Sequence, residues 1–150
     1  MAKRGFTLIE LLVTVSIMAI LMAIGIASYA TVNVQSRNTK RKSDVEGLRS
    51  ALEMYRADVG SYPAVNPQGF DVATNLSDAL TVQGDYLPDI PPDPMPSLYR
   101  YYYTPTDYDA ANSKYYGYCL CAYIEHASNI DSNCEANVTT TQCNYGRRNP

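Results

Sequence analysis

The chain has 150 residues and a mass of 16.6 kDa, room for one small domain and an appendage. Hydrophobic residues make up 46% and charged residues 18%, which excludes a disordered chain and a polybasic nucleic-acid binder. One His and no Trp leave little material for catalysis, so neither an enzyme nor a nucleic-acid partner is expected. The formal charge of −3 is unevenly spread: residues 1–56 carry eight Lys/Arg against four acids, and residues 57–150 carry four against eleven. The two parts suit different surroundings.

A short basic leader with Lys3 and Arg4 opens the chain, and from Phe6 to residue 36 the only charge is Glu10. Residues 11–30, LLVTVSIMAILMAIGIASYA, contain neither charge nor proline. A hydrocarbon core of ~30 Å needs about 20 apolar residues in a helix, so this segment is long enough to span a membrane. Its apolar residues lie all round the helix, as expected where every side meets lipid or another apolar helix. A secretory signal peptide is the plain alternative, with small residues at Ser28 and Ala30 around Tyr29 for a signal peptidase. Against it, the uncharged run exceeds the usual 7–15-residue core and a carboxylate stands at its start. A charge within a membrane helix costs ~2.5–3.5 kcal/mol on insertion scales, so it calls for a partner. A cut between Gly5 and Phe6 would place a new α-amino group about one turn from Glu10, at the positive pole of the helix.

The run Lys3-Arg4-Gly5-Phe6-Thr7-Leu8-Ile9-Glu10-Leu11-Leu12-Val13 resembles the class III leader of type IV pilins and type II secretion pseudopilins. The resemblance implies that a prepilin peptidase cuts after Gly5 and methylates the new terminal Phe6, and that Glu10 pairs with a neighbouring subunit's terminus. It also implies a separate cytoplasmic motor that extracts the subunit from the membrane. Many family members carry a proline where this chain has Ala27, and without it an unbroken helix is expected here, with Gly25 as a weak point. Topology carries conflicting signals. Arg37, Lys40, Arg41 and Lys42 follow the span and outnumber the two basic residues before it, which by a positive-inside count would place the carboxyl-terminal side in the cytoplasm. The family resemblance places the leader there instead, and four downstream cysteines point to an oxidising compartment for the rest.

After residue 36 the pattern turns amphipathic. Val45, Leu48, Leu52, Tyr55 and Val59, spaced three, four, three and four, share one helical face. The helix should run to about residue 58 or 59, with Gly60 as its stop and Pro63 soon after. Residues 61–97 are rich in Pro and Gly and predict a long loop with one short helix at most, on which Ala73, Leu76 and Leu80 share a face. The runs ALEMYRADVGSYP (51–63) and YLPDIPPDP (86–94) are similar to the corresponding parts of the major pseudopilin and of simple pilins. Residues 98–104 (LYRYYYT) and 115–124 (YYGYCLCAYI) read as strands, 105–114 as a turn-rich connector, and 138–145 as a weak final strand. On the second strand Tyr116, Tyr118, Leu120, Ala122 and Ile124 point one way, and Tyr115, Gly117, Cys119, Cys121 and Tyr123 the other. One of these faces should sit on the amphipathic helix.

Cys119, Cys121, Cys134 and Cys143 permit three pairings, which sequence cannot choose between. Cys119 and Cys121 lie on one strand face and are poorly placed to pair with each other. Each is therefore expected to reach into residues 125–145 and tie down a tail of low apolar content. The C-x-C spacing fits no common zinc pattern, so disulfides are favoured over a metal site. Asp85, Asp89, Asp93, Asp107, Asp109, Asp131 and Glu135 are loop acids that could hold calcium. Major pseudopilins similar to this chain bind calcium near the carboxyl terminus, but those ligands do not map residue by residue onto this chain, and a solvated acidic surface is the plainer account. Asn137 begins a glycosylation-type triplet, read as coincidence, and His126 stands alone as a loop residue. Ten of the fourteen tyrosines fall between Tyr99 and Tyr145, where packing against a sheet accounts for most of them. No phosphate-binding loop, dinucleotide fingerprint, HExxH or nucleophile elbow is present.

The sequence therefore predicts an α+β, pilin-like fold: a long N-terminal helix, apolar then amphipathic, packed on a small C-terminal antiparallel sheet. Residues 1–5 would be the leader, 6–36 the membrane or filament-core half of the helix, and 37–150 a head made of helix to about 59, loop 60–97, and sheet with disulfide-tied tail 98–150. The expected role is a structural subunit of a type IV pilus or related filament, with a type II secretion major pseudopilin as the alternative. A secreted or anchored binding module with a Tyr-rich sheet is a third reading, of another class. Expected partners are further copies of the chain, prepilin peptidase, the assembly machinery and, before assembly, membrane lipid. The subunit would be a single-pass inner-membrane protein with a cytoplasmic N-terminus, and afterwards part of an extracellular or envelope filament.

Overall fold

The computed structural model describes residues 5–64, 71–82, 84–127 and 143–149. The chain divides into two compact units, Met1–Ser36 and Arg37–Pro150. Helix α1 (Leu8–Val59) contributes to both, without a break at Gly25. In the first unit α1 offers no polar stripe. Its large apolar side chains are exposed, from Leu8 at 82% to Val32 at 60%. The hydroxyls within it turn inward on the helix: Thr14 donates to the Leu11 carbonyl at 2.8 Å, Ser16 to Leu12 at 2.8 Å and Ser28 to Ile24 at 3.2 Å. Such back-bonding removes the desolvation cost that free hydroxyls would carry in an apolar medium. Length and composition make this helix able to cross a membrane.

In the second unit the amphipathic part of α1 supplies Val45, Leu48, Ala51 and Leu52, all fully buried, with Tyr55 packed beside them. The stripe fades at Val59, which is 45% exposed. Gly60 then takes φ +82° and its N–H bonds the Arg56 carbonyl at 2.8 Å, a left-handed stop that a side chain would strain. The loop that follows carries α2 (Val72–Asn75), capped by the Asp71 carboxylate accepting the Ala73 N–H at 3.0 Å, and a π-type turn at Asp78–Val82. Val72, Leu76 and Leu80 are its buried residues, whereas Ala73 is exposed. The helical face expected through Ala73 is displaced by one residue, because a single α-turn followed by a wider π-turn keeps every fourth residue inward.

The sheet has three antiparallel strands in the order β1 (Tyr102–Asp109), β2 (Lys114–Ala122), β3 (Tyr145–Arg148). Tyr102 stands opposite Cys121 and Asp109 opposite Lys114, and Ala122 stands opposite Tyr145. β1 starts later and runs further than the residues 98–104 expected. Leu98 is 65% exposed in a turn closed by its own N–H on the Met95 carbonyl, and residues 105–109, expected in the connector, extend the strand. Pro105 had signalled a turn, yet β1 is an edge strand, where a missing N–H need not interrupt the ladder. The final strand begins at Tyr145, where the expected one ended; residues 138–142, Asn137, Asp131, Cys134 and Glu135 lie outside the described residues.

On β2, Tyr118, Leu120 and Ala122, with Ile124 beyond, join the helix in the core, while Tyr116 is 37% exposed. The opposite face is buried as well at Cys119 and Cys121. Cys121 is bridged to Cys143 across a Cα–Cα distance of 5.7 Å, which fastens β2 to the entry of β3, and Cys119 is also disulfide-bonded. Each cysteine of the C-x-C pair thus avoids its neighbour on the strand. β3 has only four residues, all paired with β2, and the bridge adds a covalent tie at its entry. Cys121→Ser should destabilise the head by roughly 2–5 kcal/mol. Thermal unfolding of the detergent-solubilised protein checks this, and dithiothreitol should lower the wild-type midpoint while moving the variant less.

The tyrosine hydroxyls explain how sheet and loop grip α1. Tyr101 donates to Asp44 at 2.7 Å, Tyr118 and Tyr62 to Glu53 at 3.1 and 3.0 Å, and Tyr86 to Asp58 at 2.9 Å. Tyr103 donates to the Pro63 carbonyl at 3.0 Å. Burial first, then the adjacent carboxylates, push the Tyr101 and Tyr118 hydroxyls well above their ordinary range, so both stay protonated donors.

Candidate assembly site

The Gly5–Phe6 peptide bond lies outside any regular element, just ahead of α1, and the space around Gly5 is open. Phe6 is 86% exposed. Thr7 caps the helix and Glu10 is its third residue. The Thr7 N–H donates to Glu10 Oε2 at 2.9 Å and the Thr7 hydroxyl to the same oxygen at 2.7 Å, while the Glu10 N–H points back to Thr7 Oγ1 at 3.4 Å. This is a capping box, T-x-x-E. The sequence reading passed over it, although Thr7-Leu8-Ile9-Glu10 before an apolar run is its signature. Glu10 therefore has a partner within its own chain, and the carboxylate is held at the helix tip, beside Phe6, where a cut at Gly5 would leave an amino group.

The head contains a second arrangement that the sequence did not reveal. Arg41 is fully buried. Its guanidinium meets Asp93 at 2.7 and 3.0 Å and Glu125 at 2.6 Å, and lies 5.0 Å from the centre of the Tyr99 ring. Arg37 forks onto the two oxygens of Glu125 at 2.8 and 2.6 Å, and Asn38 pairs with the Glu125 backbone in both directions. Asp93 also accepts the Met95 N–H at 2.7 Å. One helical turn thereby clamps the proline-rich loop and the turn at Glu125 that follows β2. Among the described residues no buried side-chain polar atom lacks a partner. Of the four cations that weighed on topology, Arg37 and Arg41 belong to this internal network and Lys40 sits 3.0 Å from Asp44.

Hydrogen bonds from Arg37 and then Arg41, working against burial, hold the Glu125 carboxyl down to about 2. A carboxylate depressed in the folded state stabilises the fold above its unfolded value near 4.5, and that contribution is lost as the pH falls from there towards 2. The loss should be on the order of 3 kcal/mol. Urea midpoints of wild type and Glu125→Gln at pH 5 and pH 2.5 check this: the variant should start lower and change less between the two.

Against known proteins, two family models match. The prokaryotic N-terminal methylation motif covers residues 1–26, and type II secretion system protein G covers residues 29–117. The chain belongs to the type II secretion system protein G family. Relatives of this protein G homologue include the type II secretion system core protein G of Pseudomonas aeruginosa, 32% identical over 104 residues that cover 66% of this chain and 72% of the relative. The corresponding protein of Vibrio cholerae is 31% identical, with 66% and 70% covered. A type IV major pilin of Neisseria gonorrhoeae is 33% identical over 85 residues, 57% of this chain and 37% of the pilin. No solved structure gives a significant match. The chain is a structural filament subunit of the pilin and pseudopilin class, and the α+β fold and the resemblance drawn from residues 3–13 both hold.

The remaining candidates scatter. Asp93 is engaged by Arg41, Asp109 accepts from Ala111 and Asn112, Asp89 accepts the Ile90 N–H, Asp107 accepts from the Thr106 hydroxyl, and Asp85 is exposed. Among the described residues no three metal-ligating side chains converge. His126 is exposed in a turn with φ 56°. Tyr101, Tyr103 and Tyr118 donate their hydroxyls to Asp44, the Pro63 carbonyl and Glu53 within the chain.

Proposed function

We propose that this chain is the repeating subunit of a type II secretion pseudopilus, delivered by cleavage between Gly5 and Phe6 and methylation of Phe6. The match to protein G over residues 29–117 carries this reading. Before assembly the apolar half of α1 would rest in the inner membrane with residues 1–5 in the cytoplasm. In the filament it would bundle with the same segment of other copies, burying side chains that are otherwise 48–86% exposed. Successive copies would be related head to tail, a contact that does not close and so extends. Glu10 would set the register against the Phe6 amino group of a neighbour. The role is assembly, not catalysis, and no cofactor takes part in it. A type IV pilus is the second reading, supported by the gonococcal pilin match.

Mass spectrometry of the mature protein tests the processing step: the expected terminus is N-methylated Phe6. A start at Thr31 would indicate secretion by signal peptidase, and an intact Met1 a plain anchor. Deleting the gene should stop type II secretion in the cell that carries it. Long surface filaments at native expression that vanish on deletion would instead favour the pilus.

A further inference from the structure

We propose that, before assembly, the turn formed by residues 95–98 rests on the bilayer surface, with Leu98 in the headgroup layer beside the stacked rings of Tyr99 and Tyr123. This contact rests on the membrane-anchored state proposed above and adds a lipid-facing surface to it. The turn is fixed to the first helical turn of the head. Arg41 holds the Asp93 carboxylate at 2.7 and 3.0 Å, and the same carboxylate accepts the Met95 N–H at 2.7 Å. The N–H groups of Leu98 and Tyr99 both bond the Met95 carbonyl, at 2.9 and 3.0 Å. The Tyr99 ring lies 5.0 Å from the Arg41 guanidinium and stacks 4.4 Å from the Tyr123 ring, and both tyrosines are half-buried. Pro94 and Pro96 stiffen the loop. Leu98, 65% exposed, is thus held at the surface on a braced turn. Beside it Ile90, Pro91, Pro92 and Pro96 line a groove of about 230 Å³.

In chain order Arg37 follows directly on the uncharged run of residues 11–36. As helix that run rises about 39 Å, against ~30 Å of hydrocarbon and about 40–45 Å with both headgroup layers. With Glu10 at one edge of the hydrocarbon, Arg37 emerges at the outer margin of the opposite headgroup layer. Residues 37–41 take up roughly the next 6 Å, and the braced turn is bonded to them. The surface offered there has the chemistry of a lipid–water boundary, where tyrosine is enriched because its ring is apolar and its tip polar. Arg37 and Arg41 are answered by Asp93 and Glu125, so this cluster brings no uncompensated charge to the bilayer. A single exposed leucine calls for no account, but one fixed on a rigid turn at this end of the head, next to an apolar groove, does.

The chain contains no Trp, so Leu98→Trp places a single indole reporter in the full-length protein. The protein is reconstituted at low density in vesicles of phosphatidylethanolamine and phosphatidylglycerol. The indole should emit at shorter wavelength than in water and lose most of its emission when the lipids are brominated near the carboxyl end of their acyl chains. Ser97→Trp, on the same exposed turn, should behave alike. Val59→Trp lies about 33 Å further along α1 than Arg37 and should show no such loss. Water-like, unquenched emission from both turn variants would overturn the contact and leave the filament reading standing. So would emission that is blue-shifted yet unquenched, which assigns the cover to protein, or equal quenching of Val59→Trp. Release of the wild-type protein from the vesicles by alkaline carbonate would instead remove the membrane-anchored state, and this contact with it.

Discussion

Glu10→Ala should abolish or severely slow filament formation while leaving membrane insertion and leader cleavage intact. The structure makes the experiment sharper than a single substitution, because Glu10 does two separable things. Within its own chain it closes the capping box with Thr7, and losing that cap costs about 0.5–2 kcal/mol at the helix tip. A helix of 52 residues survives such fraying. Between chains its charge would answer a neighbour's amino terminus in an apolar bundle, where an uncompensated charge costs about 3–5 kcal/mol per subunit. Glu10→Gln separates the roles, since glutamine can still close the box but carries no charge. If filaments are counted by electron microscopy and sheared-fraction immunoblots, both variants should fail. Normal yield from Glu10→Gln would reduce this residue to a cap and remove the register argument.

Arg41→Met should be the most damaging single change in the head. The methionine fills a similar volume, but Asp93, with its side chain 1% exposed, is left as an unanswered buried charge. Breaking such a pair costs about 3–5 kcal/mol, a large part of the 5–15 kcal/mol that a domain of this size possesses. The unfolding midpoint, followed by near-ultraviolet dichroism of the buried tyrosines, should fall by more than about 10 °C. Adding Asp93→Asn removes the stranded charge and keeps an acceptor for the Met95 N–H, so the double variant should recover part of the loss. If Arg41→Met unfolds within a few degrees of wild type, the clamp contributes little and the packing of α1 alone holds the loop.

What could be read from sequence divides along the range of the interactions. The apolar span, the stripe through Val45, Leu48 and Leu52, and the stop at Gly60 follow from local periodicity and backbone preference, and the structure repeats them. Strand limits failed where context overrode local chemistry: Pro105 reads as a breaker until its edge position is known. Arg41 looked like one of four cations bordering a membrane, because nothing local links it to residues 52 and 84 positions away. The pairing of Cys121 with Cys143 was likewise one of three on paper and is fixed only by the register of β2 and β3. The capping box is different. Its signal is wholly local, the spacing of Thr7 and Glu10 just ahead of the apolar run.

The sheet's margins carry a consequence for a molecule that lives packed among its own kind. Within a polymer each head meets its neighbours continually, a setting in which any bare strand edge could recruit another and convert ordered stacking into tangled fibres. One margin here holds a proline midway along β1, and the other is a stub of four residues ending in Arg147, which bonds Glu46 at 3.0 Å, and the exposed Arg148. Sideways recruitment by backbone pairing is thereby discouraged at both borders.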